Sequence, residues 1–181
     1  MPRHRETRIV PYSPEQMRNL VLDVEKYPEF LPWVTGLRVL NRKGPETTCE
    51  VSVGFKLLRE RYSCVVDASD PDAVSVRYIN GPMKYLNNVW KFSPGPGGRG
   101  CKIDFAIDFE FKNFLLQKTI GVVFGEAVAL MVRSFDRRAE RLYGRPPPAP
   151  PAKPDQDDPS DPPSDPETSI NGTAPAAPGR Q

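Results

Sequence analysis

The chain has 181 residues, with Lys+Arg 25 against Asp+Glu 23, a hydrophobic content of 38 % and 22 prolines. That length suits one packed domain with an appendage. The low apolar content and the high proline content have one source: residues 145–181 hold twelve of the prolines, no aromatic residue and a single large aliphatic, Ile170. This segment cannot bury enough apolar surface to offset its chain entropy, so a disordered Pro/Asp-rich tail is expected there. It carries a charge of −3, which leaves +5 on residues 1–144.

No run of about 18 apolar residues stands out, so no transmembrane helix is expected. The opening MPRHRETRIV is charged and lacks an apolar core. Neither a secretory signal nor a transit peptide is therefore expected, and the sequence reads as cytoplasmic. Cys49, Cys64 and Cys101 are odd in number and widely spaced. They fit a reducing compartment better than a disulfide frame or a metal site.

In chain order, residues 5–10 read as a short strand. Ser13-Pro14-Glu15-Gln16 is a helix start, with Ser13 as cap, Pro14 at the first helical position and Gln16 completing a capping box. Met17, Leu20, Val21 and Val24 follow at helical spacing. Pro28 and Pro32 then allow at most a short second helix in YPEFLPW. After this the period falls to two, and residues 37–40, 47–55, 59–68, 73–79, 86–92 and 101–111 read as strands separated by turn-like segments. In the last of these, Ile103, Phe105, Ile107, Phe109 and Phe111 point one way, while Asp104, Asp108 and Glu110 point the other. One face is dry and one wet, as in an antiparallel sheet. A long helix over 114–143 closes the domain, with Ile120, Phe124, Ala127, Met131, Phe135 and Leu142 on its apolar face and Gly144 ending it. The expected fold is α+β: a meandering antiparallel sheet of about seven strands, curved around the C-terminal helix.

Candidate sites are of three kinds. On the long helix, Gly121, Gly125 and Ala129 recur every four residues, and an interior glycine costs about 1 kcal/mol relative to alanine. The plain reading is close approach of a strand. The functional one is a cavity between helix and sheet, lined by Gly121, Phe124, Gly125 and Val128 from the helix and by Trp90, Phe105 and Phe109 from the sheet. Second, three connections carry apolar residues where polar ones are expected: Phe30-Leu31-Pro32-Trp33, Leu57-Leu58 between Lys56 and Arg59, and Met83, Tyr85 and Leu86 around Lys84. They are either satellite core or a cavity rim that touches an anionic membrane. Third, Arg133, Arg137, Arg138 and Arg141 form a basic stripe, which is a solvated face or a phosphate-binding one. Catalytic signals are weak: the single histidine, His4, precedes the first strand, and no cysteine has a histidine beside it to activate it. Inward-facing Arg77 or Tyr62 with a strongly shifted proton affinity would revive an enzymatic reading.

The segments DVEKYPEFLPW (23–33), NGPMKYLNNVWKF (80–92), DFAIDFEFKN (104–113) and FDRRAERLYG (135–144), with RIVPYSPEQMRNLV at the start, resemble the coenzyme Q-binding START-domain family. Its bacterial branch includes proteins named as ribosome-association toxins. The resemblance covers residues 1–144 and implies a helix-grip fold around a lipid-sized cavity. It further implies noncatalytic binding of ubiquinone or a related polyisoprenoid lipid in support of respiration or quinone synthesis, with no cofactor beyond that ligand. It implies peripheral contact with the inner membrane and, for the toxin branch, contact with the ribosome. Carried over by motif, Tyr27, Pro28, Phe30, Leu31, Pro32 and Trp33 belong to the entrance, and Gly81, Pro82, Lys84, Leu86 and Trp90 to the second signature loop and its strand. Val34 and Met83 stand where many members have cysteine and phenylalanine. Related helix-grip domains include polyketide cyclases, so an enzyme is the third reading. Asn88, Tyr78 and Ser75 are candidates for contact with a polar headgroup.

Overall fold

A computed structural model describes residues 2–56 and 58–145, all within one compact unit, Met1–Pro147. The tail expected from the sequence lies, apart from Arg145, outside the described residues, as does Leu57.

Strand β1 (Arg3–Val10) leads into helix α1 (Pro14–Leu22) and the one-turn helix α2 (Tyr27–Phe30). Six strands follow: β2 (Val34–Lys43), β3 (Glu46–Phe55), β4 (Leu58–Asp67), β5 (Ala73–Asn80), β6 (Met83–Pro94) and β7 (Cys101–Phe111). Helix α3 (Phe114–Tyr143) ends the domain. The sheet order is β1-β7-β6-β5-β4-β3-β2, antiparallel throughout, so consecutive hairpins build six strands and β1 adds itself beside β7.

The local signals act as read. The Gln16 N–H donates to Ser13 Oγ at 3.1 Å, and the Ser13 N–H donates to Gln16 Oε1 at 2.9 Å, closing the capping box of α1. Asn113 caps α3 by accepting from the Leu115 N–H at 2.8 Å, and Gly144 ends it at φ 82°. On β7, Ile103, Phe105, Phe109 and Phe111 are buried. The opposite face is charged: Asp108 pairs with Arg3, Asp104 with Lys102, and Glu110 with Lys84.

Two strands run longer than their alternation suggested. β2 begins at Val34, but register shifts at Val34/Gly36 and Val39/Asn41 break the period of two and leave Leu40 exposed. β6 begins at Met83, behind a shift at Met83/Tyr85. The β5–β6 turn fits tightly against β4: Gly81 has φ 141°, and a Cβ there would lie 2.7 Å from Tyr62 Cβ and 2.9 Å from the Arg61 carbonyl oxygen, so only glycine closes it.

The interior divides into two apolar clusters. One joins α1, the base of the sheet and the second half of α3 through Phe135 and Ala139. The other joins Leu58, Met83, Leu86, Phe109 and Phe111 to Ile120 and Val123 in the first half of α3. Contrary to the sequence expectation, α3 contains a stretch long and apolar enough, by length and composition alone, to span a bilayer. Leu142, expected on the packed face, is 48 % exposed.

Candidate ligand cavity

Helical spacing turns Ile120, Phe124, Ala127, Met131 and Phe135 toward the sheet, and the strands' alternation turns Tyr62, Leu86, Phe105, Ile107 and Phe109 toward the helix. The two surfaces do not meet everywhere. Between them lie two hollows of about 160 Å³ each, which share the walls Trp33, Val53, Tyr62, Leu86, Ile107 and Met131. The outer one is only partly enclosed; it reaches the end of the molecule where Phe55 and Leu58, Pro82 and Met83, Phe111 and Ile120 converge. The inner one runs toward Tyr27, Leu31, Cys49, Cys64, Asn88 and Phe135.

The outer chamber is almost wholly apolar, with Glu60 as its one charged lining residue. The inner chamber has polar features. The Tyr62 hydroxyl makes no hydrogen bond among the described residues, and burial pushes its pKa well above the usual tyrosine range. It is therefore a neutral donor, not a phenolate. Asn88 Oδ1 is buried with no partner among the described residues, and such an orphan costs stability unless something satisfies it. Burial pushes the Cys64 thiol up to about 12, with Cys49 adding to the effect, so neither sulfur is a ready nucleophile. The Tyr27 hydroxyl is already used, donating to the Val21 carbonyl at 2.6 Å.

Four of the seven expected cavity residues, Phe105, Phe109, Phe124 and Val128, line the outer chamber. Trp90 lies on the inner wall instead, with ring centroids 4.3 Å from Phe105 and 5.2 Å from Phe135. Gly121 and Gly125 do not line the cavity: both are exposed, and a Cβ at either would meet nothing within 4 Å. One residue is about 100° of helix rotation, so these glycines, following Ile120 and Phe124, turn away from the wall.

The expected rim folds largely inward. Leu31, Leu58, Met83 and Leu86 are buried. Leu58, Pro82, Met83 and Leu86 are wall of the outer chamber; Tyr27, Leu31 and Trp33 are wall of the inner one. Phe30 packs edge-on to Phe135 at 5.3 Å, while Pro28 and Pro32 are exposed. Lys84 is exposed and paired with Glu110, and Gly81 serves the turn. Among the headgroup candidates only Asn88 reaches a chamber; the Tyr78 hydroxyl accepts from the Met83 N–H at 3.2 Å, and Ser75 lines neither hollow. Arg77 points outward to Glu46. Arg138 leaves the basic stripe, lying over the Phe30 ring at 5.3 Å and bridging to Glu29. Sequence reasoning missed Glu60 and Phe55 in the wall; both sit on inward strand phases near the β3–β4 tip, beyond the residues whose alternation is clean.

The ribosome association toxin RatA of Escherichia coli K12 is 38 % identical over 143 residues, covering 79 % of this chain and 90 % of that protein. The mitochondrial coenzyme Q-binding protein COQ10 homolog B of Xenopus laevis is 37 % identical over 145 residues, covering 78 % of this chain and 59 % of that protein. The solution structure of an 18 kDa protein from Caulobacter crescentus superposes with a TM-score of 0.65 at 37 % identity, covering 80 % of this chain and all of that one. The seven-stranded antiparallel sheet gripping α3 is the helix-grip arrangement of START and Bet v 1-like proteins. Residues 10–136 match the family described as polyketide cyclase / dehydrase and lipid transport, and the chain belongs to that family.

Proposed function

We propose that this protein binds ubiquinone or a related polyisoprenoid lipid and carries it without transforming it, working in the cytoplasm at the surface of a bacterial inner membrane and needing no other cofactor. The carrying observation is the pair of adjacent apolar hollows with common walls, the inner one lined by Asn88, whose Oδ1 is unpartnered among the described residues, and both by the neutral Tyr62. A dry cavity of about 150 Å³ admits one benzene-sized guest. The inner chamber takes the quinone ring. The neutral Tyr62 hydroxyl and the Asn88 Nδ2 amide donate to its carbonyls, while the orphaned Asn88 Oδ1, an acceptor, takes a hydroxyl of the reduced quinol. The outer chamber takes the first isoprene units, and the rest of the tail leaves at the β3–β4 and β5–β6 tips. Transfer from bilayer to an apolar cavity is nearly neutral in hydrophobic terms, so these two polar contacts supply the selectivity. The name of the COQ10 relative, coenzyme Q-binding, supports the same reading.

Glu60 and Tyr62 both line the outer hollow and burial holds Tyr62 neutral, but no histidine and no second carboxylate joins them in either wall among the described residues. Extraction of the natively purified protein followed by mass spectrometry is expected to find a quinone. Tyr62→Phe combined with Asn88→Leu is expected to lower retention of a short-chain quinone by about tenfold or more, as loss of two buried hydrogen bonds implies. A protein that purifies empty and fails to take up added quinone overturns the reading.

A second reading, ribosome contact, is favoured by the names of the RatA relatives and by the exposed Arg133, Arg137 and Arg141 on α3. Phosphate contacts of this kind weaken steeply with salt. Cosedimentation with ribosomal subunits at low but not high salt is its expected signature, and no association at low salt removes it.

A further inference from the structure

The outward face of α3 changes character along its length. In the second half it carries Arg133, Arg137 and Glu140. In the first half it carries Phe114, Leu115, Gly121, Val122, Gly125 and Ala129, interrupted by Lys118 and by Glu126. Phe114, Leu115 and Val122 are 81 %, 69 % and 84 % exposed. Of the bilayer-length apolar stretch in this helix only 11 % is buried. A helix packed on a sheet normally turns polar residues outward, and a contiguous apolar patch of this kind marks a contact surface.

Position and charge identify the contact. The patch begins three residues after Phe111, a wall of the outer chamber. The intervening Lys112 is tied to the β5–β6 turn, its N–H donating to the Pro82 carbonyl at 2.9 Å and its Nζ to the Gly81 carbonyl at 3.1 Å. Lys56 at the β3–β4 tip reaches Glu126 of α3 at 2.6 Å. The patch and the outer end of the cavity thus share one end of the molecule. Lys112 and Lys118 make no ion pair among the described residues, while the nearby Glu110 and Glu126 are engaged with Lys84 and Lys56. The bare small residues Gly121 and Gly125 would admit a second helix, but a parallel two-fold pair there would set Lys118 against Lys118, and an antiparallel one would bring it toward Glu126, which is already engaged by Lys56. A surface with apolar side chains among uncompensated cations suits anionic lipid headgroups instead.

We propose that the first half of α3 is the membrane-docking face, lying in the headgroup layer of an anionic bilayer with Phe114, Leu115 and Val122 in the acyl boundary, so that the outer chamber opens against lipid. The proposal rests on the lipid-carrier reading and moves the main membrane contact to α3 from the rim expected at residues 27–33, 57–58 and 81–86.

The test is flotation of the full chain with quinone-free vesicles, either phosphatidylcholine alone or an equal mixture with phosphatidylglycerol. The native chain is expected to float with the anionic vesicles and less with the neutral ones. The triple substitution Phe114→Ser, Leu115→Ser and Val122→Ser is expected to lower partitioning by about tenfold or more, since it removes three inserting side chains. An unchanged melting temperature verifies its folding, as exposed positions predict. Lys112→Gln with Lys118→Gln, a second variant independent of the first, is expected to weaken anionic binding alone. Native protein that stays with neither vesicle, or a folded triple variant that floats as well as the native chain, overturns the proposal. So does a dimer seen by sedimentation equilibrium that Val122→Ser dissolves in the absence of vesicle binding. Because the vesicles contain no quinone, failure here leaves the extraction result standing, and an empty cavity leaves the flotation result standing.

Discussion

The two halves of α3 obey different packing rules. The second half is held as a core helix: Phe135 is buried among Tyr27, Phe30 and Trp90, with ring centroids 5.8, 5.3 and 5.2 Å away, and Ala139 is fully buried. It is also pinned by Arg8, whose guanidinium donates twice to Asp136 at 3.0 and 2.7 Å. The first half has a hollow on one side and exposed apolar side chains on the other. The second half carries most of the packing while its Phe135 also walls the inner chamber; the outer chamber belongs to the first half, where loose packing is a requirement and not a defect.

Alanine substitutions at paired aromatic positions test this division most directly. Phe135→Ala removes a buried ring packed against three others, although it also borders the inner chamber, and is expected to cost about 3–5 kcal/mol. Phe124→Ala removes a half-buried ring that already borders open space, and is expected to cost only about 1–2 kcal/mol while enlarging the outer chamber. Urea unfolding of both variants gives the comparison. Equal costs would mean that the first half is packed as tightly as the second.

Enlarging a small residue should sharpen the same contrast with a smaller effect. Ala139→Leu forces three extra heavy atoms into a filled interior and is expected to cost about 1–3 kcal/mol. Ala127→Leu points into the outer chamber. It is expected to leave stability within about 0.5 kcal/mol or raise it, as cavity-filling changes do, while excluding ligand from the protein. Thermal melting together with extraction of bound lipid separates the two effects.

The fold was legible because β7 and α3 keep clean periods: alternation from Ile103 to Phe111, and helical spacing from Ile120 to Phe135. The chambers were legible in part. Phe105, Phe109, Phe124 and Val128 follow from those periods. Gly121 and Gly125 misled because a stripe of small residues signals close approach or free space without saying on which side of the helix. Residues 27–33 and 83–86 read equally as satellite core or as an exposed rim, because a bulge in β6 and a one-turn helix hide the phase that turns their side chains inward. The exposure of Phe114, Leu115 and Val122 was not legible at all. An apolar residue in an apolar helix carries no mark of whether the sheet extends far enough to cover it.

The smallest effect expected at neutral pH is the most specific to the inner chamber. Burial raises the Cys64 thiol from its ordinary value of 9.0 to about 12. Below about 9 the thiol is protonated in both folded and unfolded chains, and its burial contributes fully to stability. Between these limits the unfolded chain releases the proton while the folded one retains it, so stability falls as pH rises toward 12. Tyr27 and Tyr62, also raised by burial, extend the decline above the ordinary tyrosine value of 10.0. Cys64→Ala is expected to behave like the native chain at pH 7 apart from a modest packing loss, and to show a shallower decline from pH 9 upward. Denaturant midpoints across that range read the slope. Parallel slopes for the two proteins would mean that Cys64 meets water in the folded state, and that the inner chamber is wetter than its lining implies.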